Sequence, residues 1–188
     1  LDDLGKIMIL KKVLGQNKDE LKYFGRNINK DGYISEIKSF MSELIQYGAD
    51  EDEIERMIKA SEKKPVLKYK LQDMSVAFKS FKKYIEKNYI TSEELLSVFA
   101  DVVSQSELLK GAVICLDGFT GFTPLQYRLL RELIKTAEMV YVTVTADDRE
   151  SVINKGKNYQ LFFMSRKTVH NIRQIASETG VEVLDDIW

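Results

Sequence analysis

The chain has 188 residues, 44% hydrophobic and 30% charged, with a net charge of −1. This composition fits a globular fold of one or two domains and excludes a disordered chain. The near-zero net charge gives the whole molecule no pull on a polyanion, so nucleic-acid contact would need a local basic patch.

Residues 1–106 read as a helical domain. In the first segment, about 3–24, Leu4, Ile7, Met8, Leu10, Val13, Leu14 and Leu21 recur at helical intervals, and Gly25 offers a stop. A second helix is expected over 33–47, carrying Ile34, Ile37, Met41, Leu44 and Ile45 and ended by Gly48. Asp50 and Glu53 suit the start of a short acidic helix with Ile54, Met57 and Ile58. Over 66–87, Leu67, Leu71, Met74, Phe78, Phe81 and Ile85 are spaced 4, 3, 4, 3, 4, a narrow apolar seam on a long helix. Packing inside a helical bundle explains that seam, and a partner-binding coiled coil is the alternative. Thr91 and Glu94 form a capping box for one more helix.

The character changes at about residue 107, and 107–188 reads as a small α/β unit. Ala112–Leu116 is a short apolar run suited to a strand buried on both faces. A helix is expected over 124–137, with Thr123 as N-cap, Pro124 at its first position and Gln126 completing a capping box. Met139–Thr145 reads as a second strand, 165–178 as a helix ended by Gly180, and Val181–Leu184 as a third strand. Alternating strands and helices predict parallel pairing with right-handed crossovers. The fold class is therefore α/β: a helical subdomain followed by a small parallel-sheet unit. The start at Leu1 and the apolar end VEVLDDIW suggest a piece of a longer protein, whose other strands would complete the sheet.

Cys115 is the only cysteine and His170 the only histidine. One cysteine makes neither an internal disulfide nor a four-cysteine cluster, and this pair of residues argues against His/Cys zinc sites and Ser-His-Asp triads. Within the apolar run Cys115 reads as a small core residue. A reduced, cytoplasmic setting is expected. No apolar run reaches the ~18 residues of a membrane span, and no membrane partner is expected.

The stretch VICLDGFTGFTPLQY, residues 113–127, places Asp117 at the carboxyl end of a strand, where open α/β sheets bind ligands. In P-loop NTPases an Asp there helps to hold Mg²⁺. An apolar run ending in Asp is also common at ordinary strand ends, so spacing leaves both readings open. Gly118 and Gly121 fit a tight loop that needs positive φ or close backbone approach.

The stretch resembles the Walker B segment of UvrD-like superfamily 1 helicases, in which Asp-Glu-Phe-Gln-Asp follows an apolar run and Gln-Tyr follows at a fixed offset. Asp117, Phe119, Gln126 and Tyr127 fall in that register, and ADDRESVI at 146–153 is similar to the helicases' next segment, keeping Asp147, Asp148 and Ser151. The departures are informative. Gly118 stands where those helicases carry the catalytic Glu, and Glu150 stands where they carry a phosphate-sensing Gln. No Gly-x-x-x-x-Gly-Lys-Thr loop occurs in the chain. The resemblance thus implies degenerate nucleotide-site positions at Asp117, Gly118, Gln126, Asp147 and Glu150, with no catalytic residue and no metal.

DGFTGFTPLQYRLL is similar to a signature of the B subunit of AddAB-type helicase–nucleases, which process DNA double-strand ends for recombinational repair. Further resemblance runs through ILKKVLGQNKDELKYFGR, GYISEIKSFMSELIQYG, YITSEELLSVFADVVSQSELLKGA and LFFMSRKTVHNIRQIASETGVEV, and is weakest over 50–87. It implies an inactivated helicase-like fold, with a 1B-like helical insertion followed by the second half of a 1A-like domain. It also implies DNA and an AddA-like helicase–nuclease subunit as partners. This fragment would hold no cofactor of its own. ATP with Mg²⁺ and a 4Fe–4S cluster would belong to the rest of the parent, and the parent complex, not this piece, would be the enzyme.

Residues 63–87 carry eight lysines against two acids: Lys63, Lys64, Lys68, Lys70, Lys79, Lys82, Lys83 and Lys87 face only Asp73 and Glu86. Such a local surplus suits phosphate contact, and Tyr69 and Tyr84 among them could stack on bases. An ordinary solvated helix face is the competing reading. Two other functions stay open: a binding module of another inactivated superfamily 1 helicase, and a metal-dependent phosphoryl-transfer enzyme built on Asp117, Asp147 and Asp148.

Overall fold

A computed structural model describes residues 1–25, 28, 30–86, 89–147 and 156–187. They form two compact units, Leu1–Leu95 and Leu96–Trp188.

The first unit is helical. Helix α1 spans Asp3–Gln16, α2 Asp31–Gln46, α3 Glu51–Ala60 and α4 Pro65–Ile85, and α5, Ser92–Val102, begins in this unit. Their apolar stripes meet in one core. Leu10, Val13 and Leu14 of α1, Ile34, Ile37 and Met41 of α2, Ile54 of α3, and Phe78, Phe81 and Ile85 of α4 are all buried there. At about 25 cal/mol per Å² of apolar surface, that burial is what holds the bundle together. The starts are built as the capping residues require. Asp2 accepts from the Gly5 N–H at 2.8 Å and Asp50 from the Glu53 N–H at 2.9 Å. Thr91 and Glu94 make the expected reciprocal box at 3.0–3.2 Å.

Helix α1 is shorter than its periodicity suggests. It ends at Gln16, where the Asn17 amide nitrogen donates to Val13 O at 2.7 Å and to Ser80 Oγ at 3.2 Å. The backbone N–H groups of residues 22–24 go instead to the Asp73 carboxylate of α4. Donors committed to a side chain cannot extend a helical ladder. Leu21 and Phe24 still reach the core, from a turn rather than a helix. The seam of α4 is buried from Leu71 to Ile85, but Leu67, its first member, is exposed because the first turn of α4 lies beyond the core.

The second unit holds the rest of α5, β1 (Val113–Leu116), α6 (Pro124–Thr136), β2 (Met139–Val142) and α7 (Phe163–Thr179). The last turn of α5 leads into a 3₁₀ turn at Val103–Gln105 that packs on α6, so the units divide inside α5. β1 and β2 pair in parallel, from Val113 opposite Met139 to Leu116 opposite Val142. Leu130, Ile134 and Ile175 form the core under the sheet, with Leu116, Val140 and Phe122 packed against them. The Thr123 box is complete: Gln126 Oε1 accepts the Thr123 N–H at 2.8 Å, and Thr123 Oγ1 accepts the Gln126 N–H at 3.3 Å.

Two expectations fail here. β1 is covered on one face only: Ile114 and Leu116 are partly buried, whereas Val113 and Cys115 are exposed. Cys115 is thus not a core residue in this chain. Residues 181–184 form no strand, and Val181, Val183 and Leu184 are exposed. A strand exists by pairing, and the Val181 N–H closes the end of α7 on Ala176 O at 3.0 Å instead. Among the described residues the sheet has two strands.

Candidate functional site

Two places carry the chemistry expected from the sequence, one in each unit. In the second unit Asp117 follows the last residue of β1, at the carboxyl end of a parallel pair. Its carboxylate accepts a hydrogen bond from the Thr143 hydroxyl, just past the end of β2. The same hydroxyl oxygen accepts the Gly118 N–H at 3.4 Å, and the Thr143 N–H continues the ladder to Leu116 O at 3.0 Å. One threonine therefore closes both the strand end and the carboxylate.

Gly118 has φ +77, and a Cβ built there meets nothing within 4 Å. Its glycine answers a left-handed backbone, not a close approach. Gly121 is under neither constraint. It is not among the positive-φ glycines, and a Cβ there would lie 3.5 Å from Met164 and 3.7 Å from Thr168. Phe119 stacks on Phe122 at 4.9 Å, and Phe122 meets Tyr127 edge-on at 5.5 Å. The loop is held by aromatic packing. The Gln126 side chain is occupied by the helix cap and does not reach into the loop as a free ligand. Asp147 is partly buried. Asp148, Glu150 and Ser151 lie outside the described residues. Among the described residues no group of three or more His, Cys, Asp or Glu could hold a metal ion.

In the first unit the lysines of 63–83 are not one surface. Lys63 and Lys64 are exposed in the turn before α4, and Lys68 and Lys70 are partly exposed on its first turns. Lys79 is taken up by α3, 3.5 Å from Glu51 and 3.6 Å from Glu55. Lys82 and Lys83 are exposed in the last turn, where they complement the helix dipole. Lys87 lies outside the described residues.

The tertiary fold adds residues that no linear spacing announces. Lys70 Nζ sits 4.9 Å from the centre of the Tyr23 ring, and Lys22 Nζ sits 5.8 Å from that of Tyr69. Lys22 also donates to Gln72 Oε1 at 3.2 Å. Lys12 lies 4.9 Å from the Tyr84 ring centre and donates to its hydroxyl at 3.1 Å, which engages the second tyrosine. Lys64, Pro65, Val66, Leu67 and Lys70 line an open depression of about 350 Å³.

The comparison with known proteins joins these two places in one family. A family model described as AddB, N-terminal, matches residues 1–188. The chain belongs to the AddB N-terminal family. The match to AddB includes 50–87, where the resemblance read from residues was weakest. A protein of Lachnoclostridium phytofermentans, named as the B subunit of an ATP-dependent helicase/deoxyribonuclease, is 41% identical over 184 residues, 97% of this chain and 16% of its own length. Proteins of the same name from Caldanaerobacter subterraneus and Bacillus subtilis are 33% and 31% identical, again over 97% of this chain. They are covered over 15% and 16% of their own length. The chain thus spans about one-sixth of these AddB relatives. Among the described residues no helix is long and apolar enough to cross a membrane.

Proposed function

We propose that this chain is a non-catalytic, helicase-like part of an AddB-type subunit. It holds DNA beside an AddA-like helicase–nuclease subunit while double-strand ends are processed for recombinational repair in the cytoplasm. The observation that carries this reading is the state of the Asp117 loop. Asp117 is bonded to Thr143, and Gly118 provides no carboxylate to orient an attacking water. A carboxylate base commonly contributes about 10²–10⁴-fold, so its absence argues against efficient hydrolysis here. With no phosphate-cradling glycine loop and one cysteine, these residues fit neither a hydrolysed ATP·Mg²⁺ nor a four-cysteine iron–sulfur cluster. The names of the relatives supply the context of a multi-subunit, ATP-dependent DNA enzyme.

The family match leaves no reason to keep a different inactivated helicase as the parent. A metal-dependent phosphoryl-transfer enzyme on Asp117, Asp147 and Asp148 gains no support from the described residues, and Asp148 lies outside them. The deciding experiment is ATP turnover by this chain with Mg²⁺ or Mn²⁺, alongside salt-dependent binding of duplex DNA. Salt-sensitive DNA binding with no turnover is expected. Metal-dependent release of phosphate above that of an Asp117→Ala chain would overturn the reading.

A further inference from the structure

The geometry points to a single-stranded DNA site at the start of α4, in which a base stacks on Tyr69 while Lys22, Lys64 and Lys70 meet the flanking phosphates. This deepens the DNA-scaffold reading and rests on it.

The site is built before any ligand arrives. Asp73 is buried, and its two carboxylate oxygens accept the backbone N–H groups of Lys22, Tyr23 and Phe24 at 2.7–2.8 Å. That fixes the 22–24 turn against α4 one helical turn beyond Tyr69 and Lys70. The result is an interlocked pair of lysine–ring contacts, Lys70 with Tyr23 and Lys22 with Tyr69. Tyr69 keeps 46% of its surface exposed. The acid placed among these lysines, Asp73, is buried and turned inward onto three backbone donors.

Beside the pair lies the depression lined by Lys64, Pro65, Val66, Leu67 and Lys70. Val66 and Leu67 are exposed, which an ordinary solvated helix face does not require. An apolar floor, an open phenol ring and a rim of lysines match a ligand that shows flat apolar faces and phosphates together. Single-stranded DNA does so, whereas a duplex keeps its base faces inside its own stack. Lys79, held by Glu51 and Glu55, stands outside the site.

The test titrates this chain with fluorescein-labelled dT15, with an abasic strand of the same length and charge, and with a 15-base-pair duplex, reading anisotropy at 50 mM salt. dT15 is expected to bind about fivefold or more tighter than the abasic strand, the lower end of what one base stacked on an aromatic ring contributes. Tyr69→Ala should remove that preference, so that dT15 and the abasic strand bind alike, while Tyr69→Phe keeps it. Lys64→Glu with Lys70→Glu should weaken both strands. Equal binding of dT15 and the abasic strand, or a Tyr69→Ala chain that retains the preference, overturns the proposal. If the duplex is still bound in that case, the scaffold reading stands without this site. If no DNA is bound at all, both fall.

Discussion

The Asp73 carboxylate of α4 accepts the backbone N–H of Phe24 at 2.7 Å, across 49 residues of chain. Its oxygens also take the N–H groups of Lys22 and Tyr23, so one buried acid orders the turn that follows α1. An Asn at this position offers one acceptor oxygen where two are used. Asp73→Asn should destabilise the chain by about 1–3 kcal/mol, the cost of leaving a buried donor unmatched. Urea unfolding measures it, and a change under about 0.5 kcal/mol would show that the latch contributes little.

Gly118 makes a separate prediction, because its φ of +77 coincides with open space. Substitution there meets conformational strain and no clash. Gly118→Ala should cost about 1–2 kcal/mol, and Gly118→Asn less, since Asn tolerates the left-handed region. Equal losses for Ala and Asn would point to a steric cause. Gly118→Glu should cost as much as Ala and, on the proposed function, produce no ATP turnover.

The acid limb of stability reports two exposed ion pairs. The hydrogen bond and charge of Lys38, 2.8 Å away, hold the Asp3 carboxyl below its ordinary value. Hydrogen bonds from Arg131, then from Gln174, do the same for Glu178. A group whose pKa is lower folded than unfolded stabilises fully above the unfolded value, about pH 4, and loses that contribution as pH falls through the folded value. Lys38→Met and Arg131→Met should therefore each flatten the fall in Tm below about pH 4. Curves that stay parallel to the parent at every pH would contradict the assignment.

Lys79 separates charge count from charge availability. Exposed pairs such as those with Glu51 and Glu55 add little stability but offset the lysine locally. Lys79→Glu should leave the salt dependence of dT15 binding nearly unchanged. Lys64→Glu should lower its slope by about 0.7, the share of one phosphate contact on a single strand. Equal slopes for both variants would return the patch to an undivided basic surface.

Cys115 tests the bare face of the sheet. An exposed thiol on β1 should react with a disulfide reagent under native conditions at close to its rate in urea. Strong protection would mean that this face is covered in solution.

Much of this was legible in the residues. The capping pairs at Asp50, Thr91 and Thr123 need only neighbours within three positions, so spacing states them outright. The seam from Leu71 to Ile85 and the parallel pairing of β1 with β2 follow from periodicity and from a helix between two strands. The DGF stretch led to the AddB family, which the match over the whole chain bears out. Leu67, Cys115 and the 181–184 segment depart from the expectation for one shared reason. Their apolar character says what they would bury, not whether this chain supplies a surface to cover them.

What the sequence determined by itself is therefore local or compositional: helix starts, strand direction and family. What only the tertiary structure decided is pairing over distance. Asp73 with the 22–24 turn, Lys22 with Tyr69, Lys79 with Glu51 and Glu55, and Thr143 with Asp117 each join residues more than 20 positions apart. A charge or hydroxyl shows in its sequence what it can bind. Which partner it meets depends on how whole helices and strands bury their apolar faces, and that packing is not written at any single position.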